Sequence, residues 1–334
     1  MKKFAGILRL AAVFAAGCVV AGTAQAQTVL KASHQFPGGK GDPRDEMVQI
    51  IAREVAAADV GLEIQVYPGS SLYKPTEQWN AMTRGLLDMS SFPLDYASGR
   101  HPIFSATLMP GLVGNLDRAE RLNESEFMAD IKKVIEEAGV IVIADAWLSG
   151  AFASKKTCVT SPDTIKGQVI RSAGPAFEEM LAAAGASISS MPSSEIYSAM
   201  QTGVLDATNT SSASFVSYRL YEQVKCLTAP GDNALWFMYE PILMSKRSYD
   251  RLSEEQQQAI MAAAEKAEAY FSEEIKKGDQ EMVDTFEKAG VEVVEMSQED
   301  YNAWLAIARE SSYKNFAEKV PNGAELIEKA LAVE

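Results

Sequence analysis

Apolar and polar positions alternate along this chain with two periods, and each change of period marks an element. Residues 28–34 (T-V-L-K-A-S-H) and 62–67 (L-E-I-Q-V-Y) alternate in twos, the pattern of strands with one buried face. Between them a polar, glycine-rich loop at 35–42 leads into a helical pattern over 43–58, with Met47, Ile50, Ile51 and Val55 on one face. Strand, helix, strand with short connections is a parallel-sheet unit. Further on, a helix is predicted over 116–139, a buried strand over 140–147, and short strands at 168–171 and 186–191 around a helix at 176–184. Another helix is predicted at 214–222. Residues 233–245 are continuously apolar and aromatic, which predicts a fully buried strand returning to the first half of the fold. From Ser253 a capped helical run reaches Ala289 with Gly278 as its one weak point. At 1.5 Å per residue it would span roughly 55 Å, enough to brace two lobes from behind. A strand at 290–294 and more helix complete the chain.

One stretch occurs twice. Residues 79–89 read W-N-A-M-T-R-G-L-L-D-M and residues 197–207 read Y-S-A-M-Q-T-G-V-L-D-A, which aligns Gly85 with Gly203 and Asp88 with Asp206. Each copy follows a helix-start signal, Pro75-Thr76-Glu77 or Pro192-Ser193-Ser194-Glu195. Each reads as a short amphipathic helix closed by a glycine free to adopt the left-handed conformation. A short strand is expected next, at Leu86-Leu87 and Val204-Leu205. This suggests two related α/β lobes, with coincidence among common residues as the alternative; the first lobe is expected at 27–148 plus 239–279 and the second at 149–238 plus 280–334.

Charge and leader narrow the function. Lys2, Lys3 and Arg9 precede an apolar run and the small-x-small site Ala24-Gln25-Ala26, so residues 1–26 read as a signal peptide and the exported chain begins at Gln27. A lipoprotein site at Cys18 is a weaker reading, since the residues before it lack the usual larger aliphatic. The whole chain carries 31 Lys+Arg against 45 Asp+Glu. That balance argues against nucleic acid or an anionic lipid surface as partner. Cys158 and Cys226 remain after the leader. An even count in an exported chain favours a disulfide, worth about 3–4 kcal/mol for a loop of this size; two buried free thiols are the alternative. His34 and His101 do not fall at ligand spacing with the cysteines, so no metal site is expected.

Candidate chemistry centres on Arg171. It ends a predicted strand and is followed by Ser172-Ala173-Gly174-Pro175 and a helix. In parallel sheets ligands sit beyond the carboxyl ends of the strands, and a guanidinium there offers a planar fork to a carboxylate. The strand exits after the two repeats should face the same cleft: residues 90–96, with Tyr96, and residues 207–212 (A-T-N-T-S-S), with Asn209 and Thr210. Trp236, Tyr239 and Glu240 of the return segment are candidate pocket walls. No nucleophile elbow, zinc-protease motif, Walker loop or dinucleotide fingerprint is present, so neither a catalytic centre nor a cofactor is expected.

The run Pro162-Asp163…Lys166-Gly167-Gln168-Val169-Ile170-Arg171, then Gly185-Ala186, then Glu195-Ile196-Tyr197-Ser198-Ala199-Met200-Gln201-Thr202-Gly203-Val204-Leu205-Asp206, resembles the DctP-type periplasmic solute-binding subunits of TRAP transporters. The resemblance implies two α/β lobes joined by crossing strands, with a long helix behind both. It also implies periplasmic capture of a small organic acid for an ion-gradient-driven membrane permease. Arg171 takes the place of the arginine that grips the ligand carboxylate, Asn209 and Thr210 that of a further ligand contact, and Gln35 that of a contact at the exit of the first strand. Tyr239-Glu240-Pro241 is similar to the Trp-Glu-Pro of members that bind 2-oxo acids. Sialate- and uronate-type members carry a second arginine where this chain has Ala151, which disfavours those ligands. Ala151, with Phe152, Trp236 and Phe237 nearby in sequence, would suit a less polar or aromatic acid. A periplasmic enzyme acting on such an acid, and a sensory protein feeding a membrane receptor, are the alternatives.

Overall fold

A computed structural model describes residues 27–231 and 234–333; the expected signal peptide and the Cys18 site lie outside the described residues. In chain order the elements are β1 (Thr28–Ser33), α1 (Pro43–Ala57), β2 (Leu62–Tyr67), α2 (Pro75–Thr83), β3 (Met89–Ser91), α3 (Leu116–Leu122), α4 (Glu126–Glu137), β4 (Val140–Ala144) and β5 (Trp147–Ser154). Then come β6 (Val169–Ser172), α5 (Pro175–Ala183), β7 (Ser187–Ser190), α6 (Ile196–Gln201), β8 (Ala207–Ser211), α7 (Ser212–Ser217), β9 (Cys226–Ala229), β10 (Phe237–Tyr239) and β11 (Ile242–Ser245). The chain finishes with α8 (Lys246–Tyr249), α9 (Glu254–Lys288), β12 (Glu292–Glu295), α10 (Gln298–Ala308), α11 (Lys314–Lys319) and α12 (Gly323–Leu331).

Two sheets share one plan. The first runs β2-β1-β3-β11-β4 and the second β7-β6-β8-β5-β9-β12, with β10 beside β5. In each, a first strand lies parallel to the strand on either side (β1 to β2 and β3, β6 to β7 and β8), and an antiparallel strand then separates it from the rest (β11 or β5).

The repeat anchors this symmetry bond for bond. Gly85 and Gly203 close their helices at φ 68° and 79°, and their N–H groups donate to Met82 and Met200. Leu86 and Val204 then donate back to Ala81 and Ala199. Asp88 accepts from Lys31 N at 2.8 Å, and Asp206 from Val169 N at 3.0 Å, so each aspartate pins the first strand of its own sheet. Leu86-Leu87 and Val204-Leu205, expected as strands, are turns instead. Leu87 and Leu205 are buried while Leu86 and Val204 are exposed, and pairing begins two or three residues later, at Met89 and Ala207.

Two apolar runs expected as single strands each split between the sheets. Residues 140–147 give β4 in the first sheet and the start of β5 in the second; residues 233–245 give β10 in the second and β11 in the first. Their breaks, Asp145-Ala146 and Glu240-Pro241, lie side by side, with Glu240 N donating to Ala146 O at 2.8 Å. The residues flanking both breaks (Ala144, Ala146 and Trp147; Tyr239 and Ile242) are buried, and this is why the apolar pattern runs on across each break. The predicted helix at 116–139 is likewise two helices, because the Ser125 hydroxyl caps Met128 N and starts α4 afresh.

Helix α9 runs unbroken through Gly278 for 35 residues. Ile260, Ala263, Ala264 and Ala267 on its first half are buried in the core cluster that also holds Met47, Val48, Ile51 and Val55 of α1. Met282 and Phe286 on its second half join Phe215 in the core of the second lobe. Cys158 and Cys226 are disulfide-bonded with Cα atoms 5.2 Å apart, tying β9 to the chain just after β5. The expected second-lobe assignment of 280–334 needs correction at its end: α12 packs on α4 of the first lobe, where Lys329 pairs with Asp130 at 2.7 Å and Arg118 donates to Ala330 O.

Candidate functional site

Arg171 lies on β6, one residue before its carboxyl end, and is 1% exposed. Three of its donors are taken: Nε by Met191 O at 2.9 Å, one terminal nitrogen by Asn209 O at 2.8 Å, and the other by Tyr96 Oη at 3.3 Å. All three acceptors are uncharged. Among the described residues no carboxylate comes within 4 Å of this guanidinium.

Tyr96 comes from the first lobe, in the turn after β3. Its hydroxyl oxygen receives three donors, Ser193 N at 2.9 Å, Gln35 Nε2 at 3.2 Å and Arg171 at 3.3 Å. A hydroxyl has two lone pairs, so the two longer contacts are weak ones that a better acceptor would capture. The lobes also meet where Tyr218 Oη donates to Gln35 O at 2.9 Å. Between them lies a small cavity, about 10 Å³, bounded by Arg171, Tyr96, Asp95, Thr210, Tyr239 and Glu240 among others.

Several polar atoms at this interface are buried without a protein partner: Thr210 Oγ1, both side-chain amide atoms of Asn209, Gln35 Oε1, Asp95 Oδ2 and Ser193 Oγ. Buried polar groups are nearly always hydrogen-bonded, so orphans gathered around one cavity indicate a place where a polar molecule completes the bonding.

Of the residues singled out from sequence, Arg171, Tyr96, Thr210, Tyr239 and Glu240 border the cavity, and Gln35 and Asn209 touch it through Tyr96 and Arg171. Trp236 does not. It packs on Phe177 at 4.9 Å, pressed so closely to Gly150 that any Cβ there would lie 2.1 Å from its ring. Phe152 stacks on Trp304 at 5.6 Å and Phe237 lies in the first lobe's core. Trp236, Phe152 and Phe237 are therefore core packing, whereas Tyr239 of the expected aromatic wall does border the cavity.

Sequence reasoning singled out neither of two charged residues, Asp95, which lies within the expected 90–96 exit, and Arg44. Asp95 Oδ1 accepts from Ser98 Oγ at 3.0 Å while Oδ2 faces Gly174 across the cleft. Burial pushes the Asp95 carboxyl up to about 7, opposed by the Ser98 hydrogen bond and by Arg171, and reinforced by Glu178. Arg44, fully buried at the start of α1, pairs with Asp42 at 2.7 Å and Glu240 at 2.8 Å, donates to Ser211 Oγ, and lies over the Phe36 ring at 3.7 Å. Burial alone works against its charge, but the two carboxylates outweigh it and hold its pKa above the ordinary arginine value. Burial raises the Glu240 pKa and Arg44 partly offsets this. The sequence offered one usable signal for Arg44, the Asp-Pro-Arg helix start, and none for Glu240 as its partner, 196 residues away.

Comparison with known proteins agrees with this geometry. Residues 43–319 match the family model described as bacterial extracellular solute-binding protein, family 7 (DctP). A solute-binding protein of Albidiferax ferrireducens is 40% identical over 307 residues, covering 90% of this chain and 91% of that one. A TRAP periplasmic solute-binding protein of Rhodoferax ferrireducens, solved with bound malonate, superposes with a TM-score of 0.87 at 39% identity, covering 90% of this chain and 96% of that one. An extracytoplasmic solute receptor of Bordetella pertussis binding pyroglutamic acid shares the fold, with a TM-score of 0.82 at 23% identity, covering 91% and 99%. These relatives are solute receptors and not enzymes. No helix among the described residues is long and apolar enough to cross a membrane. With two lobes closed over an unneutralised arginine and a family model matched over most of its length, the chain belongs to family 7 of the bacterial extracellular solute-binding proteins, the receptors of TRAP transporters.

Proposed function

We propose that this protein captures a small organic acid in the periplasm, gripping its carboxylate with Arg171, and delivers it to a TRAP membrane permease. One observation carries the reading: Arg171 is a fully buried cation whose hydrogen-bonded neighbours are all neutral. Leaving such a charge uncompensated costs several kcal/mol, and a ligand anion is what removes that cost. The carboxylate would take the free guanidinium donors and the Gln35 amide, which Tyr96 holds only weakly. Asn209 and Thr210, with unused polar atoms, would orient the remainder of the molecule. The malonate bound to the Rhodoferax ferrireducens relative supports a small organic acid as ligand. Closure follows if the ligand binds the closed lobes more tightly than the open ones, since it bridges residues from both. The closed pair of lobes would then be the form presented to the permease.

A thermal-shift screen of small carboxylic acids against the exported chain tests this. Expected is a stabilisation by one or more acids that vanishes in Arg171→Ala, while the ligand-free melting temperature of that variant stays near wild type. Undiminished affinity in Arg171→Ala would remove Arg171 from the site.

A further inference from the structure

Arg171 accounts for one end of a ligand. The same cavity is bordered by a carboxyl that the carboxylate grip does not use. Asp95 is 7% exposed and borders the cavity, and among the described residues its carboxyl has a single hydrogen-bond partner, Ser98. Its free oxygen is pressed against the start of α5: a Cβ on Gly174 would fall 1.5 Å from Oδ2, so only glycine permits the approach. The other acid at the cavity, Glu240, is neutralised by Arg44. Among the described residues Asp95 has no such partner, since Arg171 lies beyond 4 Å and the remaining charged group facing it, Glu178 on α5, has the same sign.

We infer that Asp95 is a specificity residue whose unpartnered oxygen accepts a hydrogen bond from the ligand, so that the site selects a carboxylate bearing a hydroxyl, amine or amide N–H donor. This rests on the carboxylate reading of Arg171. The charge count gives the physical reason. One acid group of the ligand meets Arg171. A second ionised acid group would meet an ionised Asp95, with no cation left to separate them. A donor at that end instead makes a charge-assisted hydrogen bond, about twice as strong as a neutral one. A dicarboxylate therefore enters only with one proton shared between its far end and Asp95. That coupling falls in an accessible range because burial, together with Glu178, lifts the Asp95 carboxyl to about 7 against the opposing pull of Ser98 and Arg171. The sign is fixed: as pH rises through this value Asp95 ionises, and the affinity for a dianion falls while that for a donor-bearing monoanion does not.

Calorimetric titration of the exported chain tests this with acids paired to differ by one donor (lactate against propionate, pyroglutamate against cyclopentanecarboxylate) and with malonate, at pH 5.5 and 8.5. Expected in the wild type is a preference of about tenfold or more for the donor-bearing member of a pair. Malonate affinity should drop by up to about tenfold per pH unit above pH 7, with proton uptake seen as a dependence on buffer ionisation enthalpy. Asp95→Asn should bring each pair to within about threefold and remove the malonate pH dependence, because the neutral amide no longer repels an anion. Asp95 matters also without ligand: a carboxyl with a raised pKa makes the folded protein less stable as pH climbs from 4 to 7, and Asp95→Asn should flatten that slope. Equal affinities within the pairs, or a malonate profile unchanged in Asp95→Asn, would overturn the Asp95 assignment while leaving Arg171 in place. If none of these acids binds and none stabilises the protein in the wider screen, the carboxylate reading itself fails, and the Asp95 assignment with it.

Discussion

Arg44 and Arg171 are both fully enclosed, and both reach across from one lobe to the other, yet they are opposite solutions to the same electrostatic problem. Arg44 brings its counter-charges with it: Asp42 two residues before it and Glu240 at the crossing between sheets, with Ser211 and the Phe36 face completing its surroundings. Arg171 meets two backbone carbonyls and a phenol. A buried guanidinium with matched carboxylates is part of the fold. One whose hydrogen-bond partners are all neutral fits the proposed role of meeting a charge that arrives later. Burial does not separate the two kinds; the charge of the partners does.

The sharpest way to break the comparison is to remove each charge in turn. Arg44→Met should cost about 3–5 kcal/mol of stability in urea unfolding of the ligand-free protein, since Asp42 and Glu240 are left buried and unpaired. Arg171→Met should leave that stability within about 1 kcal/mol, or raise it, while weakening the stabilising acid by about 2–5 kcal/mol, a hundredfold or more for most of that range. Equal loss of stability in the two variants would mean that Arg171 is structural. Reduction of the Cys158–Cys226 bridge should lower stability by about 2–4 kcal/mol with little change in affinity, because it constrains the second lobe alone and stands apart from both arginines. Gly174→Ala should act on closure: its methyl group collides with Asp95 only when the lobes meet, so affinity should fall by about 1–3 kcal/mol while the ligand-free melting temperature hardly moves. A melting temperature that fell with the affinity would place that contact in the ligand-free fold as well.

What could be read in advance follows the range of the interactions involved. The repeat was legible because helix, terminating glycine and strand-pinning aspartate sit within a dozen residues, and both copies make the same local bonds. Helix α9 was legible from its Ser253 cap and sustained apolar stripe, and Gly278 did not break it because Ile275 and Met282 on either side are buried. Arg171 was legible through position, at the exit of a strand. The crossings were legible to within a few residues, as lobe boundaries at 148/149 and 238/239, but the breaks at Asp145-Ala146 and Glu240-Pro241 that divide each run into two strands were not, because burial in the second sheet looks the same, residue by residue, as burial in the first. Trp236 misled for the same reason: an aromatic in an apolar run carries no mark of which side of the sheet it faces.

The sequence by itself pointed to two lobes of one plan, a long brace and the arginine at a strand exit, and favoured a Cys158–Cys226 bridge over free thiols, since each depends on local periodicity, turn chemistry or simple count. Only the tertiary structure decided that Asp42 and Glu240 neutralise Arg44, that no carboxylate among the described residues pairs with Arg171, and that Asp95 faces Gly174 across the cleft. Those facts depend on distances between residues tens to hundreds of positions apart, and electrostatic energy follows separation in space, to which order along the chain is blind.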